Sequence, residues 1–356
     1  MISQDISFPI EKTKESKLKE IDFNNIPFGK NFTDHMFISD FTDDSWHSAR
    51  ITPYEKLQIA PSAAVLHYGQ AIFEGMKAYK NKEGKIMLFR AIDNYKRFVK
   101  SAERLCMPIV PEDLFMEAVK QLVLLESEWI PTLEGSSLYI RPFMYGADEF
   151  LGVRPSDKYK FIVITSPTAS YYPKPLKMKV ESRYTRAAEG GVGFAKAAGN
   201  YAGSLAPYKA AVKLGYDQLI WTDAKEHHYI EESGTMNLFF VIDDVLITPP
   251  LGSTILAGVT RDSVVTLAKD WGMKVEERRI SIHEVEKAMD NGSLTDAFGT
   301  GTAATIAQIR TIGFESGDKT VNNEQEDAFS KKVNKALEKI RTGYDFDKHG
   351  WVVNLN

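Results

Sequence analysis

Residues 190–201 read GGVGFAKAAGNY, and Lys196 sits in them among glycine, alanine and one phenylalanine, with no carboxylate in the run. Two readings are open. Most lysines are solvated surface cations, but one held in a close-packed, poorly solvated spot loses basicity and can act as a nucleophile or proton carrier. The glycines do not make this a nucleotide loop. GxxxxGK requires glycine where Ala195 stands, and GxGxxG requires it at Lys196 itself.

Two further stretches suit an anion. AGVTRD (257–262) runs into a helix with Thr260 as the expected N-cap, where unsatisfied backbone N–H groups and the helix dipole favour a phosphate. FGTGT (298–302) offers two hydroxyls and two glycines that permit close backbone approach. In YIEESGTMNLFF (229–240), Glu231 and Glu232 point to opposite faces if they lie in a strand, so one can enter a site while the other meets water. A reactive lysine, phosphate-holding turns and a lone carboxylate are together what pyridoxal 5'-phosphate needs: an amine partner, an anchor and a counter-charge for its ring nitrogen. A cofactor-free Schiff-base enzyme such as an aldolase would use the lysine alone and leave the anion turns idle. His227 and His228 are adjacent and lack the i, i+4 spacing of a helical zinc site, and no metal is expected.

The elements that must position these groups can be traced along the chain. HMFISDF, SARITPYEKLQI, KIMLFR, SSLYIRPFMYG and YKFIVITSP read as strands, and helices are expected from Asp93 to before Pro108 and across PEDLFMEAVKQLVLLESEWI. SPTASYYPKPLK, rich in proline, marks a linker. Beyond it QLIWTD, MNLFFVID, VLITPP, KVEERRIS and ATIAQIRTI read as short strands, with Asp243–Asp244 turning a hairpin. TRDSVVTLAKDWG and SIHEVEKAMDNG read as helices, the second opened by a Ser281–Glu284 capping box. The expected fold is α/β of the α+β type, two domains of mixed or antiparallel sheet joined by the Pro-rich loop. Its parts are a loosely held arm (1–30), a small domain (31–168), a linker (169–180) and a large domain (181–356) carrying Lys196.

The 356 residues suit two domains on a prior of roughly 150 residues each. With 44 basic against 48 acidic residues there is no electrostatic footprint for nucleic acid. No signal-peptide pattern and no run of 18 apolar residues appears, so a cytoplasmic chain free of the membrane is expected. The single cysteine, Cys106, excludes an intrachain disulfide and is expected to pack as a small hydrophobe.

FTDHMF, LHYGQAIFEGMKAY, NYKRFVKSAERLCMP, SSLYIRP, GGVGFAKAAGNY, ESGTMNLF, ITPPL, AGVTRD and FGTGTAA occur in this order. In that order and spacing the chain resembles the branched-chain amino acid aminotransferases, pyridoxal-phosphate enzymes of fold type IV. The resemblance implies that Lys196 is the Schiff-base lysine and that Tyr201 bonds the cofactor's phenolate oxygen. It selects Glu232, five residues before Asn237, as the partner of the ring nitrogen. Arg97, Val259, Thr260 and Thr302 fall on phosphate contacts, and Thr235 lies beside cofactor and substrate. Arg186 stands in a stretch that matches more loosely. The substrate side falls to Tyr68, Phe73, Tyr139, Arg141 and Ala303, with Leu151 and Val153 reaching in from a second subunit, which implies a homodimer. Ala304 and Ala307 stand where some relatives carry a CxxC redox pair, so thiol control of that kind is not expected. The implied reaction is transamination between leucine, isoleucine or valine and 2-oxoglutarate.

Overall fold

A computed structural model describes residues 6–169, 172 and 174–356. The chain divides into two compact units: the first holds Met1–Tyr171, Lys196–Ala198 and Lys339–Asn356, the second Tyr172–Ala195 and Gly199–Glu338. The expected 169–180 linker includes residues 170, 171 and 173, which lie outside the described residues.

The first unit contains strands β1 (His35–Thr42), β2 (Ser45–Pro53), β3 (Ala71–Phe73), β4 (Met76–Lys80), β5 (Ile86–Phe89), β6 (Ser137–Gly146) and β7 (Tyr159–Thr168), with helices α1 (Ala64–Tyr68), α2 (Ala91–Arg104) and α3 (Glu112–Leu125). With a C-terminal strand, Val352–Asn354, they form an antiparallel sheet in the order C-terminal strand, β5, β4, β6, β7, β1, β2, and β3 pairs with β6. Alternation along each strand sorts the side chains. Met76, Ala78, Leu138 and Ile140 join Phe98 of α2 and Phe115 of α3 in the core. Lys77, Tyr139 and Arg141 therefore occupy the other face, with Lys77 and Tyr139 directly opposite each other in register.

Helix α2 begins two residues before the expected Asp93 and buries Tyr95, Phe98 and Ala102 at helical spacing. Cys106, just past its end, has φ 52° and is exposed, contrary to the expectation of a packed thiol. The left-handed turn directs Cys106 outward while Met107 takes the buried place. The arm also departs from the sequence reading, because from Phe8 onward it is docked. Phe8 packs edge-on against Phe37, Ile51 and Pro9 share a main-chain bond of 2.9 Å, and the Thr13 N–H donates to His35 Nε2 at 2.9 Å. The alternation Ile6, Phe8, Ile10 is the signal for this short strand-like attachment. Strand β2 ends at Pro53, well short of the expected extended run to Ile59.

The second unit contains β8 (Leu176–Val180), β9 (Gln218–Thr222), β10 (Ile230–Ser233), β11 (Asn237–Ile242), β12 (Val245–Thr248), β13 (Val275–Glu277), β14 (Leu294–Gly301), β15 (Thr305–Phe314) and β16 (Gly317–Thr320). Its helices are α4 (Ala198–Ala202), α5 (Leu205–Lys213), α6 (Val259–Asp270), α7 (Ile282–Asp290) and α8 (Phe329–Arg341), of which α4 starts, and α8 ends, on residues counted with the first unit. The strand order is β10, β9, β8, β15, β14, β11, β12, β13, with β8 parallel to both neighbours and β13 parallel to β12. A further β10–β11 pairing joins the first strand of this path to the sixth and closes a ring of six strands. Asp243 and Asp244 both take positive φ in the β11–β12 turn, as a tight hairpin requires.

Two caps differ from expectation. Helix α6 is capped by Gly258 in extended conformation, so Thr260 is its second residue. A Cβ at 258 would collide with the Asn237 side-chain oxygen, which is why glycine holds the cap. At α7, Ser281 accepts the Glu284 N–H at 3.0 Å, but the Glu284 carboxylate forks onto Arg278 instead of returning to the cap. Among the described residues no helix is long and apolar enough to cross a membrane.

Candidate active site

In the first unit Lys196 is fixed through its main chain. Its N–H donates to Ser101 Oγ at 2.9 Å, its carbonyl accepts the Phe73 N–H at 3.1 Å, and the next residue, Ala197, forms a β-bridge with Ile72. Ser101 is fully buried and donates onward to the Arg97 carbonyl at 3.0 Å, one helical turn back. The Lys196 ammonium lies over the Phe73 ring, 4.8 Å from its centroid. Half-buried among small residues, Lys196 is not the solvated surface lysine of the plainer reading.

Arg97 and Arg141 place two guanidinium groups in this unit. Arg97 forks onto the fully buried Glu74, Nε to Oε1 at 2.7 Å and Nη2 to Oε2 at 2.8 Å. A buried charge needs such a partner, so Glu74 orients Arg97 and keeps its planar fork rigid. Arg141 Nη2 donates to the Tyr139 hydroxyl at 2.9 Å, its guanidinium lies 4.6 Å from the Phe73 centroid, and its Nε is buried with no hydrogen-bond partner. Phe28 packs edge-on against Tyr139, and a Cβ at Gly75 would collide with the Tyr139 hydroxyl. The result is an apolar wall with a tyrosine–arginine edge. Tyr68, Leu151 and Val153 are not brought into this cluster, and the last two are 67 % and 90 % exposed.

In the second unit Glu232 is fixed through its side chain. Oε1 accepts Arg186 Nη2 at 2.9 Å, while Oε2 accepts Asn237 Nδ2 at 3.2 Å and the Leu256 N–H at 3.1 Å. Arg186, loosely placed by its sequence context, thus touches the carboxylate itself. Glu231 is half-buried: its Oε2 is buried with no hydrogen-bond partner, and burial raises its carboxyl above the usual range despite Thr254 and Arg186 nearby.

Glu232, Asn237 and Thr300 are register partners in a row across β10, β11 and β14, and the buried Thr300 hydroxyl has no partner. From Thr300 the chain enters Gly301, Thr302 and Ala303. Cβ atoms at Gly299 and Gly301 would lie 2.7 Å from Met236 Sδ and 2.8 Å from the Thr235 carbonyl, so this turn is pressed against residues 235–236. Val259 and Thr260 are buried in the first turn of α6, and Tyr201 is half-buried in α4.

These residues fit pyridoxal 5'-phosphate. An amine, a carboxylate held in place by three donors, a twelve-residue helix offering its N-terminus, and two glycines that bring backbone close supply each function the cofactor asks for. Sequence reasoning missed Phe28, Glu74, Gly75, Ser101 and the bonding role of Asn237. Only Glu74 and Gly75 carried a signal, a charge and a glycine breaking an otherwise apolar strand pair.

Residues 71–312 match the family model described as "Amino-transferase class IV". A "Probable branched-chain-amino-acid aminotransferase" of Staphylococcus aureus is 46% identical over 99% of this chain and 99% of its own. "Branched-chain-amino-acid aminotransferase 2" of Bacillus subtilis is 44% identical over 100% of this chain and 98% of its own. The T.th. branched-chain amino acid aminotransferase solved with pyridoxamine 5'-phosphate superposes with a TM-score of 0.75, 27% identity, and coverage of 90% of this chain and 98% of that one. These likenesses settle the family: the chain belongs to the class IV aminotransferases, among the branched-chain-amino-acid aminotransferases.

Proposed function

We infer that the chain is a branched-chain-amino-acid transaminase that moves the amino group of leucine, isoleucine or valine to 2-oxoglutarate, giving the branched 2-oxo acid and glutamate. Pyridoxal 5'-phosphate, when bound, supplies a carbon that takes and returns the amino group and a ring that draws electrons from the substrate's α-carbon. The observation that carries the reading is the threefold hold on Glu232, which fixes the orientation of a buried carboxylate.

The residues divide the work. Lys196 would hold the cofactor through its Nζ, and its free amine would be the base that takes the substrate's α-proton. Glu232 would face the ring nitrogen as its counter-charge, Tyr201 would bond the phenolate oxygen, and Thr235 would border the cofactor. Arg97, Val259, Thr260 and Thr302 would hold the phosphate. Phe73 and Ala303 would line the substrate side, where the Arg141–Tyr139 edge takes the carboxylate of glutamate and the apolar wall takes the aliphatic side chains, and the exposed Tyr68, outside that cluster, is assigned to the substrate from the resemblance alone. The exposed Leu151 and Val153 are assigned to a partner subunit's pocket, so the working form is a homodimer, and the location is the cytoplasm. The folding domains proposed are 31–168 and 181–356, with Lys196–Ala198 and Lys339–Asn356 counted in the first.

Visible absorption of the purified enzyme tests this. A cofactor band that L-leucine bleaches and D-alanine leaves intact is expected, with parallel initial-rate lines for leucine and 2-oxoglutarate. A colourless protein, or intersecting lines, would overturn the reading. Light scattering should give twice the 40.1 kDa chain mass, and Val153→Asp should lower leucine turnover.

A further inference from the structure

The six-strand ring of the second unit closes at one register pair, Glu232 and Asn237, immediately after the turn in which the Ser233 N–H bonds the Met236 carbonyl at 2.8 Å. Asn237 is 5 % exposed and uses its whole amide. Nδ2 donates to Glu232 Oε2 at 3.2 Å and to the Leu256 carbonyl at 2.9 Å, and the oxygen covers the space where a Cβ of Gly258 would stand. Leu256 returns a bond, its N–H reaching the same Oε2 at 3.1 Å. One residue, Leu256, two before the α6 cap, is therefore clamped by both members of the ring-closing pair, its N–H by Glu232 and its carbonyl by Asn237, and Asn237 lies opposite Thr300 on its other side.

We propose that Asn237 is a positioning residue that couples the two ends of the cofactor site, holding the Glu232 carboxylate and the α6 N-terminus in one fixed relation. The inference rests on the pyridoxal-phosphate reading of Glu232, Val259 and Thr260. Only a carboxamide satisfies this position: the donor serves an anion and a carbonyl, and the acceptor sits over a glycine. Apolar substitution strips Glu232 Oε2 of one donor and leaves the part-buried Leu256 carbonyl one bond short. Aspartate keeps the shape but sets a second carboxylate against Glu232, and two such groups cannot both ionise in the ordinary range. Arg186 and the introduced aspartate then both bear on Glu232, with Glu231 next to it along the strand.

The test titrates apoenzyme with pyridoxal 5'-phosphate, following the visible band, for wild type, Asn237→Ala, Asn237→Asp and Gly258→Ala. Asn237→Ala should weaken cofactor affinity about 10- to 100-fold, as loss of a hydrogen bond to a charged group implies. Gly258→Ala pushes the amide from the other side and should weaken it likewise, and the double variant should fall short of the product of the two losses, since both break one linkage. Asn237→Asp, nearly isosteric, should acquire a new acidic limb in both the spectral titration and the pH profile of kcat, with function recovering as pH rises. A merely structural asparagine would lower the apoenzyme melting point and leave both profiles unmoved. Variants that bind the cofactor like wild type across pH overturn the coupling alone, whereas a wild type that binds none overturns the cofactor reading with it.

Discussion

Lys196 and Glu232 are held in opposite ways. The lysine is pinned by its main chain, N–H on Ser101 and carbonyl on Phe73, while its ammonium rests over an aromatic face. The carboxylate is gripped by its side chain, three donors converging on two oxygens. A cation over a ring feels a broad attraction with little directional demand, whereas a fork of charge-assisted hydrogen bonds fixes an orientation. The difference matches the tasks proposed for them. A group that changes bonding partner and carries a proton needs a fixed root and a movable tip, and a counter-charge that must not drift needs a fixed tip.

The largest effect should come from removing the tip itself. Lys196→Ala should lower kcat at least ~10⁴-fold, since a positioned general base alone contributes about 10²–10⁴. The melting curve should stay near wild type, because the bonds to Ser101 and Phe73 use only the main chain. A large fall in stability would show that the ammonium, not the backbone, anchors this segment. Glu232→Gln keeps the shape and removes the charge, and should cost about 10²–10³ in kcat, the scale seen when one preorganised electrostatic group is lost. If Glu232→Gln kept full activity, the threefold grip would be structural only.

Smaller changes probe what supports each group. Gly75→Ala drives a carbon into the Tyr139 hydroxyl and must displace the ring from Arg141. The KM for glutamate should rise about 10-fold or more, because a site built to bond a polar group suffers when that bond is lost. The KM for leucine should change less, and equal changes would refute the tyrosine–arginine edge as the carboxylate acceptor. Ser101→Ala leaves the Lys196 N–H without its acceptor and should lower kcat about 5- to 10-fold at nearly constant KM, the value of one buried hydrogen bond. No change in kcat would show that Phe73 and the Ala197 bridge suffice as the root.

Much of this site was legible along the chain because its chemistry is carried by short runs: the lysine in its small-residue bed, the glycine–threonine turn, the helix start after AGV. The strands bearing Tyr139 and Asn237 were legible too, being apolar runs with turn signals on either side, whereas the strand bearing Glu232, IEES, is no apolar run and stood only as a condition. What could not be read is what register and closure create. Nothing local in NYKRFVKSAERL says that Ser101 will meet the backbone of a residue 95 positions away. Arg186 lay in a poorly matched stretch and became visible only when folding set it on Glu232. Cys106 and the N-terminal arm show the same limit in reverse: composition suggested a buried thiol and a loose tail, and a left-handed turn and a short apolar alternation decided otherwise.

A second lysine of the first unit sharpens the comparison. Lys77 is 6 % exposed on the sheet face it shares with Tyr139, and burial, helped by the nearby Arg341 charge, pushes its ammonium down to about 7. Lowered basicity alone would nominate Lys77 as a reactive amine, yet the main-chain anchors that fix a root fall on Lys196. The two roles separate by measurement. In the unfolded chain Lys77 holds its proton up to its ordinary value of 10.5, and in the folded chain it releases it near 7. Between those values the unfolded state binds more protons, so this lysine makes wild-type stability rise with pH across the window, and its penalty is full below pH 7. Lys77→Met should therefore stabilise the fold, by an amount on the order of 2 kcal/mol at pH 6, with the gain shrinking as pH climbs toward 10. Denaturant unfolding of wild type and variant at pH 6 and pH 9 measures it. A gain independent of pH would mean that packing, not the buried charge, sets the cost of Lys77, and borohydride trapping of the holoenzyme should still mark Lys196 alone.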